Sequence, residues 1–527
     1  MHEIEIILGL LLVAAALTVV AQRLAVPYPI LLVLGGLVLG FVPGLPDVEL
    51  DPEIVFLLFL PPLLTSAAWY TSWCDFRFNL RPILLLAIGL VLATTSAVAV
   101  VAHAAIGGLT WATAFVLGAI VSPPDAVAAA AITQRLNVPR RVVTVLEGES
   151  LINDATGLVA YRFAVAAVVT GMFSIWEVSL RFFVIAIGGV IIGLIIGRLV
   201  VWIHSRLDDS LVEISTIILM SYATYLLAEH LGVSGVLAVV TSGIYHRWRS
   251  PEVLTPRTRI QAVAVWEIIV FLLNGLIFIL IGLQLPSILE EISEQSLLTL
   301  LWYAVLINAV VIGVRLLWVF PAAYIPRMIS RRVRERDPYP PWQTLVLIGW
   351  TGMRGVVSLA AALALPLVTS NGTPFPGRDL IIFLTFCVIL VTLVLQGLTL
   401  PILIRWLKIV EDVGIEREEM EGRLRAAQAA MARLEELTAQ NNVLAEAEMV
   451  QWLRTQYNHR IRRISACCVA MDEGSYEQLA AFRYLQHEVL ATERKTAIRL
   501  RNQGVISDEV LHRIERDLDL EEARLGG

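Results

Sequence analysis

The sequence predicts an all-α polytopic membrane protein of about thirteen transmembrane helices, followed by a cytoplasmic helical domain. Three observations carry that expectation. Of 527 residues, 57% are hydrophobic and 16% charged, with mean hydropathy +0.74; a soluble chain carries about 25% charged residues. Apolar runs near the roughly 20 residues needed to cross a hydrocarbon core recur over residues 1–406 and then stop. Arginines also fall on alternate connections, as the positive-inside bias requires.

The first run, 4–22, follows the acidic Met1-His2-Glu3-Ile4-Glu5. That start has neither the basic region nor the cleavage site of a signal peptide, so the run is expected to be retained as a span. Further spans are expected at 29–42, 53–70, 82–107, 111–132, 141–171, 178–204, 211–230, 233–246, 260–286, 297–325, 343–368 and 379–406. With the N-terminus outside, cytoplasmic connections collect Arg77, Arg81, Arg135, Arg140, Arg141, Arg206, Arg247, Arg327 and the run Arg331 to Arg336. The outside connections keep only Arg181 and Arg378, beside acids such as Asp47, Glu49, Glu290 and Glu291. Shifting the count by one helix would scramble this bias.

Residues 407–527 are rich in Glu, Arg, Ala and Leu at helical spacing, with no spanning run. They are expected to form a cytoplasmic regulatory or oligomerisation tail, with Ser507-Asp508-Glu509 opening a helix. The net charge of −6 decides little, because the charges are so unevenly placed. Cys74, Cys387, Cys467 and Cys468 suggest neither a disulfide framework nor a metal quartet.

Ionisable residues in mid-span are costly, about 2.5–3.5 kcal/mol each on insertion scales, and so mark function. The densest group is Glu147-Gly148-Glu149-Ser150-Leu151-Ile152-Asn153-Asp154 in the sixth span. At helical spacing Glu149, Ser150, Asn153 and Asp154 share one broad face, which Gly157 continues and keeps open to a close neighbour. Hard cations favour such oxygen donors. In the fifth span, Val121-Ser122-Pro123-Pro124-Asp125 interrupts the hydrogen-bond ladder beside an acid. In the twelfth, Gly349-Trp350-Thr351-Gly352-Met353-Arg354-Gly355 brackets an arginine with glycines. Broken helices in corresponding positions of two six-helix halves point to a transporter's midplane site in an inverted repeat.

At these motifs the sequence resembles the monovalent cation:proton antiporter-1 family, the sodium/proton exchangers. The resemblance runs over 1–406: Leu60-Pro61-Pro62-Leu63-Leu64, the Asp125 break, Glu149-Ser150-x-x-Asn153-Asp154, Trp266-Glu267 with Asn274, and Gly352-x-Arg354-Gly355. The tail segments Arg501-Asn502-Gln503-Gly504 and Asp517 to Glu522 are similar to those of bacterial members.

This resemblance implies a plasma-membrane homodimer for pH homeostasis that handles monovalent cations, without cofactor or nucleic acid. A core (82–171 and 297–406) would move as an elevator against a dimerisation domain (1–70 and 211–286). Asp154 would alternately hold Na+ or H+, with Ser150, Asn153, Asp125 and the Pro124 carbonyl around it. Glu149 would pair with Arg354, and Arg315, Ser66, Glu267 and Asn274 would lend support. Electrogenic relatives carry Asp at the place of Asn153, so exchange is expected to be one-for-one. The sequence departs from the family twice: both prolines precede Asp125, and Ser66 stands where several sodium-binding members have a carboxylate.

K+/H+ exchange is the nearest alternative. A cation channel is opposed by the absence of a filter-like repeat. An intramembrane aspartyl protease is opposed by the absence of a Gly-x-Gly-Asp motif.

Overall fold

The structure, a computed structural model, describes the chain except residues 1, 25, 43–51, 126–137, 172–174, 293–295, 371, 410–413, 441–447, 473–475, 504, 506 and 526–527. Each expected span contains a helix: α1 (His2–Leu24), α2 (Tyr28–Gly40), α3 (Pro52–Tyr70), α4 (Leu80–Ala105), α5 (Trp111–Val121), α6 (Arg140–Thr170), α7 (Ile175–His204), α8 (Ser210–His230), α9 (Gly235–Val253), α10 (Pro256–Leu283), α11 (Leu297–Ile329), α12a (Trp342–Trp350) with α12b (Val356–Leu363), and α13 (Arg378–Trp406). Nine helices among the described residues are long and apolar enough to cross a membrane, and α2 and α5 are shorter apolar ones. The second half of the fifth span, 126–132, lies outside the described residues, as do Arg135, Asp47 and Glu49.

Helix starts follow local chemistry. Thr110, Asp209, Ser234 and Thr255 each accept a backbone N–H from the first turn of α5, α8, α9 and α10. These caps satisfy donors that would otherwise be left bare at a helix end.

Packing sorts the helices. α2 lies along α10 and α1, while α9 packs against α7, α3 and α8. α4, α5 and α6 pack in succession, α11 closes on α4 and α12a, and α12b sits on α5 and α13. The last group contains both interrupted helices. Within α13, residues Thr392–Gln396 form a π turn, a feature that often marks functional sites.

The chain divides into two compact units, Met1–Glu411 and Asp412–Gly527. The second unit contains α14 (Gly414–Gln440), α15 (Glu448–Asp472), α16 (Tyr476–Asn502) and α17 (Asp508–Leu525). Ser507 Oγ accepts the Val510 N–H at the start of α17, 3.3 Å away. Arg494 ties α16 to α17 through Asp519 and Glu522, at 2.5 and 2.7 Å.

Candidate functional site

Helix α5 stops at Val121 because Pro123 and Pro124 supply no N–H to continue its ladder. The carbonyl four residues before Pro123, that of Ala119, is taken by the Ser122 hydroxyl at 3.1 Å. In an unbroken helix Asp125 N–H would serve Val121 O. It instead donates to Met353 O, inside the other break, at 2.7 Å. Val121 O receives Arg354 Nε at 3.0 Å, and Ser122 O receives Arg354 Nη2 at 3.3 Å. The two breaks thus exchange hydrogen bonds, leaving these buried groups satisfied.

Arg354 is fully buried, and its Nη1 also reaches Gly352 O. Its own N–H donates to Thr392 Oγ1 in the π turn of α13, at 3.1 Å. Its charge lies at the C-terminal end of α5, where free carbonyls favour a cation.

Glu149 was expected to pair with Arg354; the structure pairs it with Arg315. Arg315 Nη1 and Nη2 grip the two Glu149 oxygens at 2.5 and 2.9 Å, with both side chains at most 1% exposed. Arg315 Nε donates to Ile348 O at the end of α12a, 3.2 Å away. The pairing has a physical reason: the bared carbonyls of α5 hold the Arg354 guanidinium, and α11 brings Arg315 to Glu149 in a bidentate fork. Each interrupted helix therefore ends on a buried arginine.

Asn153 Nδ2 donates to Pro124 O at 2.6 Å, tying α6 to the break, while its buried Oδ1 has no partner among the described residues. One residue on, Asp154 lies partly exposed on the same helix. Ser150 lies one turn earlier on the same helix, partly exposed. Gly157 faces Pro123: a Cβ there would lie 2.9 Å from the proline ring.

Gly355 opens α12b directly beneath Asp125. A Cβ at this position would fall 1.8 Å from Asp125 Oδ2, so only glycine leaves room for the carboxylate at that helix start. Gly355→Ala is expected to displace Asp125, cost about 1–3 kcal/mol as overpacking does, and slow transport well below wild type. Thermal unfolding and flux of the purified variant check this. A wild-type flux would show that the Asp125 position does not matter.

Ser66 is buried on α3, which packs against α6. Asn274 is buried on α10, with Nδ2 unpartnered among the described residues. Glu267 is exposed, and its electrostatic neighbour is Tyr70 at the end of α3. No described hydrogen bond joins these three to the crossing. Thr392 was missed by sequence reasoning, since a lone threonine in an apolar helix carries no signal by itself.

Comparisons with known proteins bear on the family and the fold. A family model described as the transmembrane sodium/hydrogen exchanger matches residues 8–406. An uncharacterized Na+/H+ exchanger of Mycobacterium tuberculosis is 39% identical over 523 residues, 98% of this chain and 95% of the relative. A sodium, potassium, lithium and rubidium/H+ antiporter of Bacillus pumilus is 39% identical over 390 residues, 72% of this chain and 58% of that one. Among solved structures, the sodium proton antiporter MjNhaP1 from Methanocaldococcus jannaschii matches with TM-score 0.62 at 19% identity, covering 77% of this chain and 98% of that one. That last likeness shows the fold.

Proposed function

This chain belongs to the sodium/hydrogen exchanger family, and on that premise we propose that it exchanges Na+ for H+ one-for-one, with Asp154 as the shared seat. The observation that carries the reading is the charge balance at the crossing. Three carboxylates, Glu149, Asp154 and Asp125, belong to the segments that meet here, together with two buried guanidiniums, those of Arg315 and Arg354. With all five ionised, one negative charge is left over, and one sodium ion or one proton cancels it.

An empty site carries that leftover charge, which is costly in a low-dielectric barrier. A filled site is neutral and free to cross, so cation and proton compete for one place. The crossing would be an elevator movement of the core, α4 to α6 with α11 to α13, against a homodimeric scaffold. Ser150 and Asp125 complete the seat, with Asn153 and the Pro124 carbonyl holding its frame; Ser66, Glu267 and Asn274 would act from outside the crossing. The arginine bias supports an orientation with the N-terminus outside and the tail in the cytoplasm, and we take the membrane to be the plasma membrane.

The second reading is broad monovalent cation/H+ exchange. It draws on the Bacillus pumilus relative, whose name includes potassium, lithium and rubidium.

Proteoliposomes with an imposed pH gradient test both readings. Sodium is expected to collapse the gradient, and the responses to potassium and lithium rank the cations. A net charge moved per cycle would gain or lose about 2.3 kcal/mol per 100 mV. The balance point of the gradients is therefore expected to stay fixed under different diffusion potentials. A gradient that no monovalent cation collapses ends the antiporter reading, and a balance point that follows voltage ends the one-for-one reading.

A further inference from the structure

An open cavity of about 870 Å³ lies between the start of α4 and the connection after α11. Its polar side holds Arg77, Arg81, Arg332 and Arg336, and its apolar side includes Phe78 and Leu84. Arg77 belongs to the short helix Trp73–Phe78, and Arg332 and Arg336 to the short helix Arg331–Arg336. The size is that of a ligand pocket rather than a packing defect.

Charge in this cavity is poorly balanced. Asp337 is its one carboxylate, and both oxygens are engaged: Oδ2 by Arg81 at 2.5 Å and Arg327 at 2.6 Å, Oδ1 by Arg141 at 2.6 Å. Burial alone would raise the Asp337 carboxyl. The hydrogen bonds from Arg141 and Arg327 hold it below its ordinary value, so it stays ionised and committed. The nearby acids are also engaged elsewhere, Asp75 by Arg140 and Glu335 by Arg331. Arg77, Arg332 and Arg336 have no carboxylate partner among the described residues. Arg336 lies over the Phe78 ring, 5.7 Å from its centroid, which fixes the guanidinium at the mouth of the apolar wall.

We infer that this cavity is a headgroup site for an anionic phospholipid, with the phosphodiester among Arg77, Arg332 and Arg336 and the acyl chains along Phe78 and Leu84. Guanidinium groups match phosphate oxygens in a planar, two-pronged geometry. A soluble phosphate would meet the same arginines but leave the apolar wall uncovered; a lipid covers both. Phe78 and Leu84 are among the exposed large apolar side chains, as acyl contact requires. The inference rests on the proposed orientation, which puts the cavity at the anionic cytoplasmic leaflet. A lipid in this place would join the connection before α4 to the connection after α11.

The test is lipid binding to the purified full chain in detergent, read as protection against thermal unfolding. Titrations use micelles containing phosphatidylglycerol or phosphatidylcholine, or soluble glycerophosphate. Phosphatidylglycerol is expected to protect at concentrations at least tenfold lower than phosphatidylcholine, and glycerophosphate not to protect. R77Q/R332Q/R336Q is expected to lose the preference, on the order of fivefold for each arginine removed. Equal protection by the two lipids, full protection by glycerophosphate, or an unchanged preference in the variant would overturn the inference. A photoactivatable phosphatidylglycerol on the wild-type protein gives a second measurement should the variant misfold. Crosslinks are expected in the peptides around 77–89 and 332–337, and labelling confined elsewhere would overturn the site. Neither readout involves transport, so failure here is distinct from failure of the exchange proposal.

Discussion

Asp154→Asn is expected to reduce exchange to the level of protein-free vesicles while leaving a folded protein. An amide stays neutral at every working pH, so it cannot alternate between protonated and cation-bound forms. The substitution also removes the leftover negative charge of the crossing, since Glu149 and Asp125 then balance Arg315 and Arg354. Thermal stability should therefore hold or rise. Removing a structural acid would have the opposite signature, with transport and stability falling together. Purified variant and wild type are compared by sodium-driven dissipation of a pH gradient and by thermal unfolding. A wild-type rate would show that Asp154 is not the seat.

The second large effect concerns the buried pair. Arg315→Ala leaves Glu149 buried without its ionic partner, and Glu149→Ala leaves Arg315 in the same position. Removing one member of such a pair typically costs about 3–5 kcal/mol. The double variant is expected to recover a substantial part of the loss, because neither charge is then stranded. Arg354 supplies the control, since its hydrogen bonds go to Val121 and Ser122 carbonyls. The Glu149–Arg354 cycle should show a smaller coupling than the Glu149–Arg315 cycle. Thermal unfolding of the six proteins decides it, and a larger coupling to Arg354 would sink the assignment.

The spans were legible because hydropathy and arginine placement are one-dimensional signals. The break in α12 was legible too, since Gly352 and Gly355 around a mid-span arginine leave few alternatives. The ionic partner of Glu149 was not. Arg315 and Arg354 are both fully buried arginines in the second half of the chain, and spacing does not choose between them. The choice depends on where the orphaned carbonyls end up. Two adjacent prolines do signal that carbonyls upstream lose their donors, so an arginine seeking acceptors was foreseeable; its identity was not. The closeness of Gly355 to Asp125 was equally hidden, because it arises from two segments over two hundred positions apart meeting backbone to backbone.

The arginine on the end of α5 also bears on ion discrimination. Filters that sort alkali ions by radius use rings of backbone carbonyls as a coordination shell. Here Arg354 occupies the oxygens of Val121 and Ser122, and Asn153 occupies one lone pair of Pro124. On the proposed reading, an arriving ion would find mainly side-chain oxygens, which swing to suit a larger or smaller radius. Asn153 Oδ1, buried and unpartnered among the described residues, would be an acceptor whose amide is anchored through Nδ2 on Pro124 O. Such a shell would separate sodium from potassium only weakly by size.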